Sequence, residues 1–190
     1  MNYLAHSFLA YSEQQIAGQF LEDYVKNNER GSLPKEIQQG IILHRAIDTF
    51  TDSHPIIWEA KKIYQPLVRL YSGAFVDVSF DYFLANSLSE NDLKFHTEKV
   101  YLALRKYQNY FPATFDNRLN GMEKDNWLYN YRFDWGIKYS FQNVLNKAKY
   151  LEKDIHIFEI FLQNKDFLQQ KFDLFFPELE AHILEINSKF

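Results

Sequence analysis

Apolar side chains return every three or four positions along almost the whole of this chain, the spacing of one helix face and not of a strand. Leu4, Phe8 and Leu9 mark a first helix within the first ten residues. Ile16, Phe20, Leu21 and Val25 mark a second, opened by Ser12 or Glu13 and closed by the turn signal Asn27-Asn28-Glu29-Arg30-Gly31-Ser32. Pro34 begins a third and Pro55 a fourth, which carries Ile56, Ile63, Leu67 and Leu70 and is shortened or kinked at Pro66. After Ser72-Gly73 the run from Phe75 to Leu84 has the aromatic and β-branched content of a strand. Its helical surroundings, and Asp77 and Asp81 one turn apart, favour a helix. Ser89 caps the next, which runs through Phe95, Val100 and Leu104 to Phe111-Pro112. A looser stretch is expected around Asp116-Asn117 and Asn120-Gly121, then aromatic segments with Trp127, Tyr131, Trp135 and Phe141, then helical periodicity from Glu152 onward. The pattern predicts an all-α, single-domain multi-helix bundle over residues 1–190, without internal repeats.

Composition narrows this picture. A 190-residue chain with 46% hydrophobic residues can bury one sizeable core. Eighteen Phe, 13 Tyr and three Trp predict bulky helix interfaces and leave room for an apolar cleft. With no cysteine there is no disulfide framework, thiolate zinc site or thiol nucleophile. No apolar run approaches the roughly 18–20 residues of a membrane span. The N-terminal stretch reads poorly as a secretory signal, so the expected location is the cytoplasm. A formal net charge of −4 argues against a broad nucleic-acid surface. Candidates for a local basic patch are Lys61-Lys62 with Arg69, and Lys99, Arg105 and Lys106, although basic residues in helices are usually just the solvated face.

The stretch from Gly40 to Asp52 carries the chemistry. His44, Asp48 and Asp52 fall at i, i+4 and i+8 on one helical face, flanked by Ile41, Ile47 and Phe50. Both acids approach the C-terminal end of their helix, where the macrodipole disfavours anions by roughly 0.3–1 kcal/mol each, and a cation reverses that sign. The alternative for Asp52, or for Ser53, is to cap the helix after Pro55. His6, Asp23, Asp77 and Asp81 extend the set if several helices lend inward-facing groups to one ion. Their alternatives are a satisfied half-buried histidine and surface acids. Imidazole with carboxylates and no sulfur suits Mn²⁺, Mg²⁺ or non-haem iron better than structural zinc.

Several segments in order resemble the acyl carrier protein phosphodiesterase family: Met1-Asn2-Tyr3-Leu4-Ala5-His6, Gly18 to Val25, Gly40 to Pro55, Asp77 to Leu84, Trp127 to Arg132 and Gln142 to Asn146. The resemblance implies an all-helical, HD-phosphohydrolase-like enzyme with a rearranged motif and bound Mn²⁺. It implies removal of 4′-phosphopantetheine from holo-acyl carrier protein by hydrolysis of the phosphodiester to the carrier's serine. On it rest the expected roles. His6, Asp23, His44, Asp77 and Asp81 are metal ligands; Asp48, Asp52 and Arg45 act in catalysis, with Arg45 equally open to a plain salt bridge. Tyr131 and Trp135 are candidates for the groove that takes the pantetheine arm. One departure is visible: Asp81-Tyr82 stands where the family pattern has Asp-His. Alternatives to this reading are a metal phosphohydrolase acting on a nucleotide or small phosphoester, and a non-catalytic helical binding protein.

Overall fold

The computed structural model describes residues 1–190. Its helices are α1 (Tyr3–Phe8), α2 (Glu13–Leu21), α3 (Lys35–Ser53), α4 (Pro55–Val68), α5 (Ser72–Ser87) and α6 (Glu90–Lys106). They continue as α7 (Thr114–Lys124), α8 (Trp127–Asn130), α9 (Asp134–Lys147), α10 (Ile157–Gln163) and α11 (Lys165–Asn187), with no strand anywhere. No helix is long and apolar enough to cross a membrane.

The ambiguous stretch from Phe75 to Leu84 is the middle of α5, and its ambiguity has a physical cause. Residues from Phe75 to Ala85 are buried on all sides, apart from Asp77, so the helix shows no polar face and no periodic signature. It is the central helix, packed against α1, α4, α9 and α11. Around it Tyr64, Phe75, Phe141, Phe161, Phe83, Phe172, Phe80 and Phe175 form a chain of ring contacts with centroids 5.6–6.0 Å apart. One core of buried residues extends from Met1 to Ile183.

Several boundaries differ from expectation. The second helix ends at Leu21, four residues before Val25, and the turn that follows brings Glu22 within reach of both Arg30 and Arg45. The stretch expected to be loose is α7, because Phe115, Leu119 and Met122 form a buried stripe at helical spacing. Pro66 sits in the last turn of α4, and the chain breaks only at Arg69, whose φ of 49° a helix does not permit. The cap of α4 is neither Asp52 nor Ser53. His54 takes that role, its Nδ1 accepting the Ile56 N–H at 3.3 Å with Pro55 at the first helical position.

Two glycines set the relation of α2 to α3. A Cβ on Gly18 would lie 2.2 Å from the Ile37 carbonyl oxygen, and one on Gly40 2.3 Å from the Gln15 carbonyl oxygen. The two backbones therefore touch, and the Gln19 carbonyl comes within bonding distance of His44. Gly40→Ala is expected to lower stability by about 1–3 kcal/mol through overpacking, read as a lower urea midpoint.

Candidate metal and phosphodiester site

Helices α1, α2 and α3 meet at a cavity of about 290 Å³, with His6, Gln19, Asp23, His44, Asp48 and Asp77 in its wall. The two imidazoles stack, centroids 4.0 Å apart and planes 18° from parallel. Each presents Nε2 to the same carboxylate: His6 lies 3.3 Å from Asp48 Oδ1 and His44 3.2 Å from Asp48 Oδ2. Ligand atoms of these three residues all lie within 4.8 Å of one another.

The far side of each ring fixes what Nε2 can be. His44 Nδ1 lies 2.7 Å from the Gln19 backbone carbonyl oxygen, which only accepts, so Nδ1 carries the hydrogen. His6 Nδ1 lies 3.0 Å from Gln19 Oε1 and is held the same way. In neutral rings both Nε2 atoms are then lone pairs facing a carboxylate, an arrangement of acceptors alone. A positive charge must lie between them. A proton serves at His44: burial works against it, but Asp48 outweighs burial and holds this imidazole above its usual range. At His6 burial prevails and holds the ring below that range. Burial also opposes charge on Asp48, yet the His44 and His6 imidazoles and the Met1 amino group beside it hold its carboxyl well below the usual range. A divalent cation satisfies all three groups at once, and a histidine whose second nitrogen bonds a carbonyl is how metal-ligating imidazoles are oriented. The donor set fits such an ion.

The other expected residues divide. Asp77 lies in the cavity wall, but its Oδ1 is 3.2 Å from the Met1 amino nitrogen, which also stands 4.0 Å from Asp48. Asp23 reaches His44 together with Glu22 as a second close group. Glu22 there is already neutralised by Arg30 at 2.8 Å and Arg45 at 2.9 Å. Asp52 is at the mouth, 78% exposed and 3.2 Å from Lys61, apart from the imidazoles.

Two expectations need correction. Arg45 turns away from the cavity, donating from Nε to Glu22 and from a terminal nitrogen to Asn27 Oδ1 at 2.9 Å. It ties α3 to the chain after α2, because consecutive helical side chains diverge by about 100°. Asp81 is not in the cavity either. It is fully buried and accepts the backbone N–H of Leu4 at 2.8 Å and of Ala5 at 3.1 Å. Asn2 makes no side-chain cap for α1, so Asp81 supplies that cap from α5 and sets the position of His6. Burial nevertheless pushes its carboxyl up to about 7.

The Tyr82 departure does not touch the cavity. Its hydroxyl donates to Asp134 Oδ1 at 3.0 Å and its ring packs on Phe161 and under Lys165. An imidazole lost at this position is lost from the α9–α11 side of α5.

Gln19 is the important residue that the spacing argument passed over. It is buried and binds both imidazoles, while its Nε2 has no partner; Thr51 Oγ1, in the same wall, has none either. A polar residue between Ala17 and Phe20 on a buried helix face was the available signal.

An all-helical fold in which two histidines and a carboxylate converge in one cavity defines a candidate metal site. Residues 1–179 match the family model for acyl carrier protein phosphodiesterase, and the chain belongs to that family. The acyl carrier protein phosphodiesterase of Shigella boydii serotype 18 is 33% identical over 151 residues, 77% of this chain and 76% of that one. The acyl carrier protein phosphodiesterase of Escherichia coli K12 is 32% identical over the same length and shares. No solved structure matches the chain.

Proposed function

We propose that this chain hydrolyses the phosphodiester joining 4′-phosphopantetheine to the serine of holo-acyl carrier protein, leaving apo-carrier, and does so with a divalent cation, Mn²⁺ ahead of Fe²⁺ or Mg²⁺. The observation that carries this is the convergence of His6 Nε2, His44 Nε2 and Asp48 with both Nδ1 atoms tied to Gln19. Two nitrogen donors place Mg²⁺, which prefers oxygen, last. Family membership supplies the substrate class.

When bound, the ion supplies Lewis acidity toward a phosphoryl oxygen and toward water. His6, His44 and Asp48 would hold it. Gln19 fixes both rings, and its free Nε2 with Thr51 Oγ1 offers donors to phosphate oxygens. Asp23 and Asp77, in the same wall without a place in the three-residue cluster, are positioned to orient water or take a second ion. A carrier-protein substrate predicts a basic docking patch beside the mouth. Lys61 stands beside the mouth, itself paired with Asp52, while Arg105 and Lys106 are paired elsewhere with Glu123 and Glu13.

Purified protein is incubated with Mn²⁺ and holo-carrier, and the carrier mass is followed. Loss of the phosphopantetheine mass is the expected result. Turnover confined to small phosphoesters would move the substrate assignment, and absence of micromolar Mn²⁺ binding would leave a non-catalytic helical protein. Gln19→Leu, which removes the side-chain bond to His6, is expected to weaken Mn²⁺ binding by roughly 10–100-fold in a calorimetric titration.

A further inference from the structure

A second cavity, about 750 Å³, adjoins the first. Asn2, Tyr3 and Asp77 belong to the walls of both, so a ligand leaving the His44 cavity passes these three side chains. Beyond them Trp127, Tyr131 and Trp135 give aromatic surface, and Asn130 and Asn143 put hydrogen-bonding groups beside the rings. Arg118 and Lys147 add two positive charges to the same wall; of its two carboxylates, Asp77 is paired with the Met1 amino nitrogen and Asp125 is the other.

These cations differ from others in the chain. Arg30, Arg45, Lys61, Arg105 and Lys106 each meet a carboxylate. Arg118 is held instead by two phenols: it donates to the Tyr24 hydroxyl at 2.7 Å and to that of Tyr3, and its guanidinium lies 4.9 Å from the Tyr3 ring centroid. Burial pushes the Tyr3 phenol up to about 12, so this partner stays neutral. Lys147 meets partial burial and the repulsion of Arg118, with Asp23 acting on it only across space. Asp23, in the wall of the first cavity, acts across space on both cations. Like charges on one wall repel, and an anion between them turns the repulsion into two charge-assisted contacts.

The wall therefore suits one kind of ligand: an anionic ester at the junction, continued by an uncharged chain with amides and apolar carbons. We propose that Arg118 and Lys147 form the subsite for the phosphate of the pantetheine arm, and that the arm runs from Tyr3 along Trp127, Tyr131 and Trp135. This rests on the phosphodiesterase reading above. In that reaction a water oxygen bonds to phosphorus, the bond from phosphorus to the serine oxygen breaks, and that oxygen takes a proton. The phosphate leaves with the arm as a monoester, with more negative charge than the diester had. The cation pair consequently holds product more tightly than substrate, and free 4′-phosphopantetheine inhibits by occupying the cleft.

Full-length protein is titrated with 4′-phosphopantetheine and with pantetheine, with and without Mn²⁺, following heat and tryptophan fluorescence. The phosphorylated compound is expected to bind about ten-fold or more tightly, and Lys147→Gln and Arg118→Gln each to erase most of that advantage. Lys147 has no bonded partner to lose, so its variant separates binding from folding; near-ultraviolet circular dichroism checks Arg118→Gln, which loosens Tyr3 and Tyr24. Equal binding of the two compounds by the unmodified protein, or an advantage preserved in both variants, overturns the subsite. Failure of the parent reading looks different: holo-carrier then stays intact with Mn²⁺ and unmodified protein, whereas a wrong subsite leaves hydrolysis and its product inhibition unchanged in the variants.

Discussion

Asp48→Asn is expected to lower kcat/KM for holo-carrier by about 10³-fold or more while leaving the helical content intact. Asp48 is the carboxylate that both imidazoles face, at 3.2 and 3.3 Å, and it also stands 4.0 Å from the Met1 amino nitrogen. Removing its charge removes the anionic member of the cluster and the compensation that lets a cation rest among buried rings. In the proposed reaction a bound divalent cation would supply several kcal/mol of transition-state stabilisation, and each ~1.4 kcal/mol is a factor of ten. Two measurements check this together: steady-state kinetics at saturating Mn²⁺ and a direct Mn²⁺ titration. A purely structural ion pair would instead leave Mn²⁺ binding unchanged and make activity follow the melting temperature. Because Asp48 is only half-buried, its ion pairs alone are a weak source of stability.

Asp81→Ala is expected to cost about 2–4 kcal/mol of stability, since two buried backbone N–H groups at the start of α1 lose their acceptor. For a chain of this length that lowers the melting temperature by roughly 5–15 °C. Activity falls as well, through His6 on the loosened helix, and recovers in part in Asp81→Asn, which keeps an acceptor oxygen. The pH dependence has a definite sign. Burial pushes the folded carboxyl up to about 7, above its value in the unfolded chain, so the folded state binds the extra proton. The contribution of this group is full below the unfolded pKa of about 4 and is lost as pH rises through about 7. Urea unfolding at pH 5 and at pH 8 reads it out, and Asp81→Asn is expected to flatten the difference. A melting temperature for Asp81→Ala equal to that of the parent would show that α1 does not depend on this cap.

His44 and Asp48 were legible in the sequence because both lie on one helix, where a spacing of four residues fixes a common face. His6 and Asp23 were visible as residue types on helices, but their arrival at the same cavity depends on Gly18 and Gly40 letting α2 and α3 touch. Asp81 shows the opposite case. Its pairing with Asp77 at i, i+4 was real, yet the two side chains part: Asp77 reaches the Met1 amino nitrogen, and Asp81 the backbone of α1. Arg45 adjoins His44 in sequence and faces another direction for the same geometric reason.

By itself the sequence determined the helical architecture, the apolar positions of the core, the family and the histidine–carboxylate pair of α3, because each of these is a local property of periodicity or of an ordered motif. Tertiary structure alone decided which acids share the cavity, that Gln19 holds both imidazoles, and that Arg118 and Lys147 share a wall. Those relations are set by how helices cross, and side chains distant along the chain are brought together only when the backbones around Gly18, Gly40 and the buried α5 have packed.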